Sequence, residues 1–182
     1  EFGTALADVV TGAAEPGGRL PTTWPAALED VPVLDVAPQD GVLRYSEGIH
    51  IGYRAWLRAD ARPAFPFGHG LGYTSWSWDA AARDDEELVV TLTNTGEREG
   101  GQVVQVYAER ADSAVDRPAR WLVGFAAVRA DVGETATARI PLPARRLAHW
   151  DGGWEVESGS YTLHVGGSVA HTPLTESWEV GA

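Results

Sequence analysis

From Trp76 to the C-terminus, short runs of alternating apolar and polar residues recur about every ten residues, punctuated by turn formers. Leu88, Val90 and Leu92 alternate with Val89, Thr91 and Thr93 before Asn94-Thr95-Gly96 breaks the run. Val104, Val106 and Ala108 repeat the pattern, followed by Trp121, Val123 and Phe125, then Ala136, Ala138 and Ile140. Asp151-Gly152-Gly153 is a turn before Trp154 and Val156; Tyr161, Leu163 and Val165 form another run, and Leu174 to Val180 closes the chain. A period of two buries one face of each strand. About seven such strands in a stretch of roughly 100 residues predict an antiparallel β-sandwich of immunoglobulin-like size.

The region before it has a different texture. Phe2, Leu6, Val9 and Val10 share one face at helical period, so residues 1–12 read as a helix stopped at Gly12. Residues 13–47 carry Gly and Pro without a clear period. In Gly48–Trp56, Ile49, Ile51 and Tyr53 alternate with His50, Gly52 and Arg54, which predicts a strand. Residues 60–75 are again rich in Pro and Gly. The chain has no Met and opens inside the amphipathic pattern, so it reads as a piece of a longer protein.

Composition narrows the function. Fourteen basic residues, all Arg, against 26 acidic ones leave a formal charge of −12, which disfavours nucleic acid and anionic membrane as partners. There is no Cys, hence no thiolate metal site or cysteine nucleophile. His50, His69, His149, His164 and His171 have no mutual spacing of three or four residues, so neither metal nor cofactor is expected. Gly68-His69-Gly70-Leu71-Gly72 lacks the spacing and the preceding strand of a phosphate loop. Asp84-Asp85-Glu86-Glu87 reads as a solvated turn. No Gly-x-Ser-x-Gly nucleophile elbow occurs. Of the eight Trp, five (Trp76, Trp78, Trp121, Trp154 and Trp178) fall where a sandwich core claims them; Trp24 and Trp56 are freer to line a surface or domain boundary.

Several ordered motifs carry a resemblance. Glu1-Phe2-Gly3 with Ala5–Val9, Pro16-Gly17-Gly18-Arg19-Leu20-Pro21, Tyr45-Ser46-Glu47-Gly48-Ile49-His50-Ile51-Gly52-Tyr53-Arg54 and Phe65-Pro66-Phe67-Gly68-His69-Gly70-Leu71-Gly72-Tyr73-Thr74 resemble segments of family 3 glycoside hydrolases. Thr91–Gly96 and Gly159-Ser160-Tyr161 are similar to their fibronectin type III-like C-terminal domain. The resemblance implies a mainly β fold: a fibronectin type III-like β-sandwich (76–182) after a linker (61–75), preceded by the C-terminal remnant of an α/β sandwich domain (1–60). Bacterial β-glucosidases are the closest kind, which leaves a soluble protein of the bacterial cytoplasm or a secreted one.

Family members are retaining enzymes that set two carboxyl groups about 5–5.5 Å apart across the glycosidic bond. In the family pattern the Asp nucleophile and the Glu acid/base precede the part matched here, so neither role transfers and the catalytic residues here are none. The implied partners are an N-terminal barrel, the rest of the middle domain and a β-glucoside substrate. Glu47 and Arg54 read first as an ion pair or hydrogen-bond network at the domain boundary. The alternative is the rim of a sugar site, with Tyr45 and Trp56 stacking beside them. A carbohydrate-binding or interaction β-sandwich with no hydrolytic role is the other reading of the whole chain.

Overall fold

The computed structural model describes residues 1–34 and 36–181. Its main body is a sandwich of two antiparallel sheets. One consists of β1 (Trp76–Asp84), β2 (Glu87–Asn94) and β5 (Thr135–Pro141), in the order β1-β2-β5. The other consists of β3 (Gly100–Glu109), β4 (Trp121–Ala130), β8 (Gly159–Gly166) and β9 (Leu174–Val180), in the order β4-β3-β8-β9. A two-stranded hairpin, β6 (His149–Trp150) with β7 (Trp154–Glu155), stands apart from both.

The alternation read from the sequence places the core. Leu88, Val90 and Leu92 from one sheet meet Val104, Val106, Leu163 and Val165 from the other, all withdrawn from solvent. Removing apolar side chains from water on this scale is the main favourable term for such a domain. The acidic run lies where expected: Asp84 pairs with Glu87 across a tight turn, and Asp85 takes a positive φ of 56°. Arg139 on β5 sits 3.5 Å from the Asp84 carboxylate and 3.3 Å from that of Glu87.

Strand β4 departs from the expected phase. Trp121 and Val123 point inward, but Phe125 is 65% exposed, and Ala126 and Val128 pack on the core instead. The cause is a bulge: Val106 pairs with Gly124 and Tyr107 with Leu122, so Val123 is an extra residue that reverses the facing of all that follows. Gly124 faces Ile140 and Leu142 with no room for a side chain. A Cβ there would stand 2.6 Å from Ile140 Cγ2 and 2.9 Å from Leu142 Cδ2. Gly124→Val is therefore expected to cost about 1–3 kcal/mol by overpacking, read as a lower urea midpoint with unchanged m-value.

Before the sandwich, α1 (Phe2–Val10) forms as expected and ends with the Thr11 hydroxyl donating to the Ala7 carbonyl at 2.7 Å. None of its residues is buried: Phe2 is 82% and Val10 72% exposed. Residues 13–34 and 36–52 are largely irregular, with a short 3₁₀ turn at Leu28–Asp30. The strand expected over 48–56 is not formed; α2 (Tyr53–Arg58) occupies its second half. Gly52, at φ 55°, turns the chain out of the extended region. Beyond it, Tyr53, Trp56 and Leu57 stand at i, i+3 and i+4, a helical face that the brief alternation concealed.

Candidate functional site at the junction

The residues before β1 are tied to the sandwich through a polar seam. The 18–24 and 65–69 segments run together: Leu20 N–H donates to the His69 carbonyl at 2.8 Å, Gly68 N–H to that of Leu20 at 2.8 Å, and the Trp24 and Phe65 backbones exchange bonds of 2.9 and 3.1 Å. His69, between two glycines, is thus held by its backbone, and its ring lies 5.3 Å from that of Phe65. From this pair, contacts reach the β3 strand. Gln105 donates to the carbonyls of Gly68 (3.2 Å) and Gly167 (2.6 Å), and it accepts from the hydroxyl of the wholly buried Tyr107. Arg19 donates to Gln102 Oε1 at 2.8 Å.

A second set of bonds holds α1. The Glu15 carboxylate accepts from Tyr73 N–H at 3.0 Å, the Tyr73 hydroxyl donates to the Val9 carbonyl at 2.6 Å, and Arg98 donates to that of Gly12 at 2.6 Å. A third set involves α2: the Tyr53 hydroxyl accepts from Leu122 N–H at 2.9 Å while its ring lies 4.6 Å from Phe67.

No hydrogen bond or ion pair joins the four candidate residues to one another among the described residues. Tyr45 is 78% exposed. Trp56, expected to be free for stacking, is instead only 6% exposed, because the i, i+3 face of α2 turns it inward beside Phe67 and Val169. Arg54 donates to the Ile49 carbonyl at 3.3 Å, and no ion pair joins it to Glu47 among the described residues. The side-chain pair at this boundary is a different one. His50, 6% exposed, places Nε2 at 2.9 and 3.1 Å from the two carboxylate oxygens of Asp116, and its Nδ1 is buried without a partner. The two residues are 66 positions apart in sequence, so no local pattern could have paired them.

The β3–β4 loop holds another cluster that sequence spacing missed. The Glu157 carboxylate, 13% exposed, accepts from Ser113 Oγ at 2.7 Å, Ala114 N–H at 2.9 Å and Arg117 Nε at 2.7 Å. Burial pushes its pKa up, but the bonds from Ser113, Arg117 and Ala114 and the Arg117 charge outweigh this and hold it down at about 2. Tyr161, in the Gly-x-Tyr segment, donates its hydroxyl to the Glu157 carbonyl at 2.8 Å, the geometry of a tyrosine corner.

These carboxyl groups are poised for structure. A general acid at neutral pH needs a raised pKa; Glu157 and Asp79, the carboxyl groups whose pKa moves clearly among the described residues, are both lowered, Asp79 by hydroxyl bonds from Thr93 and Ser77. No group of three or more His, Asp or Glu able to hold a metal ion occurs among the described residues. No helix among them is long and apolar enough to cross a membrane.

Residues 1–73 match the glycosyl hydrolase family 3 C-terminal domain, and residues 102–169 match a fibronectin type III-like domain. The chain matches the C-terminal part of a family 3 glycoside hydrolase. β-Glucosidase B of Emericella nidulans is 40% identical over 202 residues, spanning 100% of this chain and 24% of that protein. A β-glucosidase of Rhizobium radiobacter is 40% identical over 184 residues, spanning 93% of the chain and 22% of its own length. Among solved structures, DesR, a β-glucosidase from Streptomyces venezuelae in complex with D-glucose, superposes with a TM-score of 0.91 at 31% identity, covering 97% of this chain and 24% of that one. The chain thus spans about a quarter of the length of the curated relatives it matches.

Proposed function

We propose that this chain is the C-terminal part of a retaining β-glucosidase that removes terminal β-D-glucosyl residues, and that it carries neither catalytic carboxyl group. Residues 1–60 complete a middle α/β domain, 61–75 cross to the sandwich, and 76–182 brace the assembly. The single observation that supports this most is the contrast along α1. The Val9 carbonyl and that of Gly12, just past the helix, are bonded to Tyr73 and Arg98, yet Phe2, Leu6 and Val10 stay open to water. A helix fixed at one side with its apolar stripe bare suits a surface that another part of the same protein covers. The match over about a quarter of two β-glucosidases supports the substrate class.

Expression of the reading frame extended upstream tests the proposal. The expected result is hydrolysis of 4-nitrophenyl β-D-glucoside with β-glucose as first product; absence of turnover would overturn it. Within that longer protein the boundary residues have distinct expected effects. Glu47→Ala is expected to leave both Tm and KM unchanged, since no ion pair or hydrogen bond holds its carboxylate among the described residues. Tyr45→Ala is expected to raise KM with Tm unchanged, since its ring is free to sit at the rim of a sugar site.

A further inference from the structure

The β6–β7 hairpin carries an aromatic corner that none of the contacts above uses. Trp150 and Trp154 are directly paired across its strands, so both rings leave the same face. Their centroids are 5.5 Å apart at 78°, and they remain 64% and 56% exposed. Trp154 is therefore no core residue, contrary to the expectation from its strand-like flanks; β6 and β7 are two residues each and lie outside both sheets.

The corner is braced. The Arg145 guanidinium lies over the Trp154 ring, 4.8 Å from its centroid. His149, next to Trp150, has Nδ1 3.3 Å from Arg117 Nη2, and Arg117 is itself clamped by Glu157. Beside the rings a groove of about 600 Å³ opens, with Arg54, Asp116, Asp151 and His149 among its polar walls.

That mixture selects among occupants. An apolar peptide or acyl chain would cover the carboxylates and the Arg54 guanidinium without satisfying them. A polyanion is opposed by the carboxylates and by a net charge of −12. A neutral polyhydroxylated ring satisfies both kinds of wall: its C–H faces lie on indole while its hydroxyls bond carboxylate and guanidinium. Among hexopyranoses, β-linked glucose units present the most apolar faces, because every ring hydroxyl is equatorial and both faces carry only axial C–H. We propose that the Trp150–Trp154 groove binds a β-linked gluco-oligosaccharide, a binding function that stands whether or not the hydrolytic reading above holds.

The test is titration of the whole 182-residue chain with laminaritetraose and with cellotetraose, using maltotetraose as the α-linked comparison, followed by indole N–H resonances. The expected result is saturable shifts of the Trp150 and Trp154 signals with one of the β-linked glycans, at a Kd of about 1 mM. Trp150→Ala and Trp154→Ala are each expected to weaken binding by about tenfold, equivalent to about 1.4 kcal/mol. Trp24→Ala, which removes an exposed ring elsewhere, leaves it unchanged. Should either hairpin variant lose its folded spectrum, Asp151→Asn, on the exposed turn, provides the second reading and is expected to weaken binding several-fold. No shift with either β-linked glycan, an equal Kd for maltotetraose, or binding that survives both Trp substitutions overturns the proposal. Binding by this chain that vanishes in the upstream-extended protein also overturns it, since another domain then fills the groove.

Discussion

Glu157→Gln is expected to lower the unfolding free energy by about 3 kcal/mol at neutral pH, the scale for removing one partner of a buried charge pair. The carboxylate is the common acceptor for Ser113, Ala114 N–H and Arg117, and Arg110 Nε lies 3.7 Å away. Arg117 and Arg110 are only 7% and 9% exposed. With the charge gone, Arg117 stays buried without a counter-charge, Arg110 keeps only Asp112 at 3.9 Å, and the loop carrying Ser113 loses its charged acceptor. The pH dependence has a defined sign. The carboxyl is held at about 2 in the folded chain, below the roughly 4.3 of a free Glu. The unfolded chain therefore binds the extra proton first, and the stabilisation is complete above about pH 4.3 and lost as pH falls towards 2. Urea titrations at pH 7 and pH 3 should show a wide gap between wild type and variant at the first pH and a narrower one at the second. An equal gap at both would mean that packing, and not charge, sets the cost.

Gly68→Val is expected to loosen the seam without dissolving the sandwich. The residue combines a φ of 83° with a position where a Cβ would lie 2.1 Å from Gln105 Oε1. Backbone strain of about 1–3 kcal/mol and overpacking of about 1–3 kcal/mol act together there. Gln105 has to move, which breaks its bonds to the Gly68 and Gly167 carbonyls and strands the buried Tyr107 hydroxyl. Hydrogen exchange is the appropriate readout. Amides at Leu20, Gly68 and Val169, which bond across the seam, should exchange markedly faster, while those of β2 keep their protection. Uniform loss over both regions would instead mean that the seam and the sandwich unfold as one unit.

The sequence made the sandwich legible because each strand buries one face, so Leu88, Val90 and Leu92, or Tyr161, Leu163 and Val165, record their environment at a period of two. It failed where an event off the strand resets that period. The bulge at Val123 inverts Phe125 and Ala126, and Gly52 turns an apparent strand into α2. The Trp residues divide for a related reason: Trp121 and Trp178 lie in long strands of the main sheets, whereas Trp154 lies in an isolated hairpin. The polar organisation of the junction was the least legible. His50 with Asp116, Arg117 with Glu157 and Gln105 with Gly68 join positions 66, 40 and 37 residues apart, and spacing rules reach only a few residues along one element. The motifs around Tyr45–Arg54 and Phe65–Thr74 located this region through resemblance, but not which atoms meet there.

The most direct experiment is an assay of the purified chain by itself with 4-nitrophenyl β-D-glucoside. On the proposal that the acid and nucleophile lie on another part of the enzyme, release of nitrophenol should not exceed the buffer rate, while circular dichroism should report a folded β protein. Sustained turnover by the isolated chain, abolished by substitution of one of its own carboxylates, would contradict the assignment of the chemistry to the rest of the enzyme.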